Sequence, residues 1–91
     1  MREYRVTTKS GSVYNFAESG GIWTVYPENV PNRRFSALPR RSYAIERPFP
    51  FPFVKGRGII VQPSNTVLLN DEDYLPGGSF ITSRVVDVRE V

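Results

Sequence analysis

The chain has 91 residues, of which 40% are apolar and 13% aromatic, and 12 cationic side chains face 9 acidic ones for a formal net charge of +3. This length holds one domain, residues 1–91, and so many aromatics argue against a chain that stays unfolded. Cysteine and histidine are both absent, which excludes a disulfide framework, Cys/His zinc sites and the Ser–His and Cys–His nucleophile pairs. A non-enzymatic protein without cofactor is the expectation.

No apolar stretch nears the roughly 20 residues of a membrane-spanning helix. Residues 1–10 carry charge without the apolar centre of a signal peptide. A cytoplasmic protein that does not contact membrane is therefore expected.

Residues 3–8 alternate Tyr4 and Val6 with Arg5 and Thr7, and residues 12–17 place Tyr14 and Phe16 on one side. A period of two in β-forming residues, around the turn chemistry of Lys9, Ser10 and Gly11, predicts a β-hairpin. Ser19, Gly20 and Gly21 make the next turn. A third strand follows over 22–26, ended by Pro27, which has no N–H for a ladder. Six of the eight prolines lie between 27 and 52, where only residues 41–46 have strand character. Apolar runs at 59–61 and 66–69 predict two short strands joined by a loop over 62–65. Residues 70–75 suit a single helical turn, with acids near its start. Residues 80–91 form the longest strand candidate. There Ile81 and Val85 share one face and Val86 and Val88 the other, so either a bulge near 83–85 or a strand buried on both sides is expected.

No stretch carries the apolar spacing of a substantial helix. The predicted fold is all-β: a small antiparallel sandwich or partly open barrel of about 6–7 short strands, with at most one short helical turn. The β pattern covers 2–26 and 58–91, with a Pro/Arg/Phe-rich insertion at 27–57. That insertion holds seven cations against two acids, whereas the rest of the chain holds five against seven. Such asymmetry points to a partner with an acidic surface.

The candidate partner-binding residues lie in this insertion: Arg33, Arg34, Phe35, Arg40, Arg41, Arg47, Phe49, Phe51 and Phe53. Proline at every second position of 47–53 forbids a helix and a central strand. In an extended chain Phe49, Phe51 and Phe53 would share one face, either as a preset apolar docking strip or as a lid on the core. Arginines interleaved with rings also suit single-stranded nucleic acid. The acids Asp71, Glu72 and Asp73 lack the alternation of a calcium loop, and no metal site is expected. Lys55, Gly56, Arg57 and Gly58 lack the Lys-Ser/Thr of a phosphate-binding loop, so these glycines are expected to serve turns.

Arginine outnumbers lysine ten to two, cysteine is absent, and the chain pairs a hairpin over 4–14 with a strand over 82–91. In this respect it resembles small accessory proteins of phages infecting actinobacteria. The resemblance implies a phage-encoded protein that binds a host protein in the host cytoplasm. The expected function is thus a non-catalytic protein-interaction module whose partner presents an acidic or apolar surface. The alternatives are a basic single-stranded nucleic-acid-binding module and a small virion structural component, a homo-oligomer built through a strand edge.

Overall fold

Alternating apolar side chains fold residues 2–29 into three antiparallel strands, β1 (Arg2–Thr8), β2 (Val13–Ser19) and β3 (Ile22–Asn29). Their inward residues, Tyr4 and Val6, Tyr14 and Phe16, and Trp23 and Val25, are all buried. The computed structural model describes residues 1–29, 41–65, 75 and 78–91, and among them every regular element is a strand. Between β2 and β3 the chain reverses through Gly20 and Gly21, whose φ angles of 58° and 82° are those a two-residue primed turn requires.

The sequence pattern ends the third strand at Tyr26, but β3 runs on through Pro27 to Asn29. The pairing explains why. The turn closes on Ser19 and Ile22, and Tyr14 stands opposite Pro27. Bonded and non-bonded pairs alternate along an antiparallel ladder, so Tyr14–Pro27 is a non-bonded pair. The proline nitrogen therefore points away from β2, towards a side where the next strand pairs only with Trp23 to Val25. No ladder bond is lost.

Four shorter strands follow: β4 (Tyr43–Ile45), β5 (Ile60–Val61), β6 (Phe80–Ile81) and β7 (Val85–Glu90). Five strands form one antiparallel sheet in the order β4-β3-β2-β1-β7, and β5 and β6 form a second. Backbone hydrogen bonds join the two sheets on both sides. Ser64 N–H donates to Ala44 O and Glu46 N–H to Gln62 O, while Val85 N–H donates to Arg57 O and Gly56 N–H to Val85 O. The strands thus wrap around one core as a small barrel. β4 is part of this wall, and all three of its residues are buried.

The last strand candidate is split. Thr82 to Arg84 separate β6 from β7, and the register against β1 slips between Thr7 and Thr8, which face Asp87 and Val85 respectively. Val86 is the extra residue. The slip turns Val85 and Val88 inward and leaves Val86 48% exposed, while Ile81 is exposed at 67%. This overturns the expected faces, because a one-residue bulge flips every side chain beyond it. The strand predicted at 66–69 and residues 70–74 of the helical turn lie outside the described residues; Leu75 is buried in the core.

Gly58 is held by a close approach and not by a turn. Thr82 N–H donates to Ile59 O, and Ile59 N–H donates to Thr82 Oγ1, each at 2.9 Å. A Cβ on Gly58 would lie 2.5 Å from the Thr82 carbonyl oxygen. Gly58→Ala should therefore cost about 2 kcal/mol by forcing two backbones apart. Urea unfolding followed by tryptophan fluorescence measures this, with the midpoint moving down and the slope unchanged.

Candidate functional site

Of the residues singled out in the sequence, Arg33, Arg34, Phe35 and Arg40 lie outside the described residues. Arg41 is half-buried, its guanidinium 6.0 Å from the centre of the Tyr43 ring. Arg47 is exposed and folds back over the Phe51 ring at 5.5 Å, donating to the Phe51 carbonyl at 3.2 Å.

The three phenylalanines do not share a face. Phe49 remains in the ladder, exchanging both backbone hydrogen bonds with Ile60, and its ring is 61% exposed. Phe51 and Phe53 leave the ladder and pack against the core. Phe51 stands 4.8 Å from Trp23 and 5.5 Å from Tyr4, and Phe53 stands 5.1 Å from Phe16 and 5.7 Å from Tyr4. Residues two apart share a face only while the chain keeps to a strand. Here it departs after Phe49 because the aromatic cluster at the barrel mouth takes up two of the rings.

Phe49 instead joins a row that only the pairing reveals. Phe49 stands opposite Ile60 and Ile60 opposite Ile81, so all three side chains emerge on one outer face. Ile60 is half-buried and the outer two are exposed. Ile81 continues into a shallow hollow of ≈ 490 Å³ lined by Lys9, Ser10, Gly58, Thr82, Ser83 and Arg84. Lys9 N–H donates to Arg84 O at 2.8 Å, and the Lys55 to Arg57 turn bonds to Val85. Four exposed cations, Lys9, Lys55, Arg57 and Arg84, are thereby drawn to one end of the barrel. The ion pairs among the described residues, Arg5–Glu28 at 3.0 Å and Arg89–Asp87 at 3.1 Å, involve none of the four.

Hydroxyls stiffen the wall of the hollow. Ser10 Oγ lies 2.8 Å from Ser83 Oγ and 3.2 Å from both Thr8 Oγ1 and Ser12 Oγ, and Ser10 N–H donates to Ser83 Oγ. Thr8 and Ser12 are buried. The network ties the first hairpin to the β6–β7 link and sets Lys9 beside Arg84. Next to it, burial raises the Tyr14 phenol above its ordinary pKa of 10.0, and a hydrogen bond with Ser12 opposes this more weakly.

No feature of the sequence marks Lys9, Arg84 or Ile81 as part of a site. Lys9 and Arg84 belong to the segments that carry a surplus of acids, and nothing in their neighbours marks them. Lys55 and Arg57 stand out in the sequence as part of the basic middle, but the positions that complete the patch are set by the fold. Among the described residues no group of three or more acids is placed to hold a metal ion, and Asp71, Glu72 and Asp73 lie outside them. No helix among the described residues is long and apolar enough to cross a membrane. Comparison with known proteins finds no matching family model, no matching curated protein and no matching solved structure.

Two outcomes follow from these placements. Phe53→Ala should destabilise the fold by about 3 kcal/mol and Phe49→Ala by under about 0.5 kcal/mol, read by thermal unfolding. The folded state favours the neutral Tyr14 phenol, so its contribution to stability is whole below pH 10.0 and is lost as pH rises through the raised value. Ultraviolet titration should show a late-ionising phenol that disappears in Tyr14→Phe.

Proposed function

We propose that this protein is a non-catalytic interaction module. It docks a partner protein through the Phe49–Ile60–Ile81 row and the basic hollow beside it. The carrying observation is the juxtaposition of the two: an outward apolar row across three chain segments, exposed at Phe49 and Ile81 and half-buried at Ile60, continuous through Ile81 with cations that form no ion pair among the described residues. An isolated exposed apolar residue is ordinary on a protein surface, whereas an aligned row rimmed by one sign of charge suits a specific partner. The chemistry selects a segment that offers apolar side chains flanked by Asp or Glu. Contacts of this kind gain affinity from the desolvated apolar centre and association rate from the charged rim. The compositional resemblance to phage accessory proteins makes a host protein the natural partner.

The four-cation cluster favours a second reading, in which the same end of the barrel binds single-stranded nucleic acid. Affinity capture from nuclease-treated and untreated lysates separates the two. For the protein partner, capture should survive nuclease and be lost in the Phe49→Ser, Ile81→Ser double variant. The Lys9→Glu, Arg84→Glu pair should slow association at low salt more than it alters release. Capture that vanishes on nuclease treatment would establish nucleic acid instead. Capture unaffected by either pair of substitutions would remove this surface from consideration.

A further inference from the structure

Among the described residues the outer edge of β7 past Val85 is unpaired, and its chemistry is complementary to itself. The β1–β7 ladder places Val91 N–H on Glu3 O at 2.8 Å, so the bonded pairs with β1 are Glu3–Val91, Arg5–Arg89 and Thr7–Asp87. Val88 and Glu90 accordingly turn their N–H and C=O groups away from β1. At the other end Val85 spends its outward groups on Gly56 and Arg57. Among the described residues nothing pairs with this edge beyond Val85. The free run covers residues 86–90, and its centre is Val88.

We infer that β7 pairs antiparallel with β7 of a second copy about a two-fold axis at Val88. In that register Val88 meets its own mate as a bonded pair, while Asp87 meets the mate of Arg89 and Arg89 the mate of Asp87. Two opposite-charge cross-strand pairs arise from one symmetric operation. Natural edge strands commonly deter a second copy with lysines, a proline or a bulge. Residues 87–90 carry none of these, the bulge lying before them at Val86, and Asp87 and Arg89 sit on one face, 3.1 Å apart within the chain, with Val86 exposed beside them. Arg89 also stands opposite Arg5 in the ladder, where Arg5 has its own acid in Glu28. A carboxylate from the mate adds an opposite charge beside this like-charge cross-strand position. The turn at residues 55–57 blocks pairing past Val85 and so selects this register over longer ones. The surface is separate from the Phe49–Ile60–Ile81 row, and the inference does not rest on the function proposed above.

Sedimentation equilibrium of the full chain across a concentration series tests the pairing by charge reversal. The wild-type protein should dimerise. Asp87→Arg and Arg89→Asp should each weaken the dimer about tenfold or more, since each substitution acts twice across the axis. The double variant Asp87→Arg, Arg89→Asp should recover the wild-type affinity. Both positions are solvent-accessible, and circular dichroism should show each variant folded. Amide exchange should show Val88 and Glu90 gaining protection as concentration rises. A monomer at every concentration, a dimer indifferent to either single reversal, or a double variant no tighter than the singles would each overturn the inference. Phe49→Ser and Ile81→Ser should leave this dimer unchanged, which separates it from the partner-docking surface.

Discussion

The structure turns on the backbone of Val85. Its N–H is held by Arg57 O and its carbonyl by Gly56 N–H, while its side chain is buried and it faces Thr8 across the main sheet. At this point the run from Phe80 to Val91 changes partner, from the strand before it to β1. A single bent segment thereby joins two sheets that would otherwise each expose an apolar face, and among the described residues strands alone enclose the core. The bulge at Val86 makes the change possible, since the extra residue lets both Val85 and Val88 point inward. Gly58 serves the same junction, where a side chain would strike the Thr82 backbone.

The surface properties follow from this junction. Lys9, Arg57 and Arg84 are far apart along the chain and reach one end of the barrel because backbone bonds at residues 84 and 85 hold the first hairpin and the 54–57 turn together. Among the described residues, the unpaired edge of β7 begins where that turn stops covering it. Segregation of charge along a sequence is therefore a poor guide to segregation in space: the basic end of the barrel draws Lys55 and Arg57 from the basic middle and Lys9 and Arg84 from the acid-rich flanking segments.

The Pro/Phe tract shows how one motif can divide its roles. Proline at alternate positions limits pairing, and the tract contributes a single bridge at Phe49 before leaving the sheet. Phe51 and Phe53 then meet Tyr4, Phe16 and Trp23 in edge-on and tilted contacts at the barrel mouth. A barrel of such short strands has few inward positions, so large rings from outside the ladder supply apolar area that the strands cannot.

The hairpin over β1 and β2, the inward set Tyr4, Val6, Tyr14 and Phe16, and the all-β class were legible in the sequence, because a period of two in residues of opposite character states which face is buried. The absence of histidine and cysteine likewise set limits on chemistry that no fold could alter. Other features were not legible. Pro27 stays within β3 because of the parity of its pairing with β2, and Val85 and Val88 share a face because of a bulge against β1. Phe49, Ile60 and Ile81 align because three distant segments meet in register. Each depends on which residue stands opposite which: for Pro27 the register of one hairpin, for the other two a long-range choice made by closing the barrel, and local pattern encodes neither.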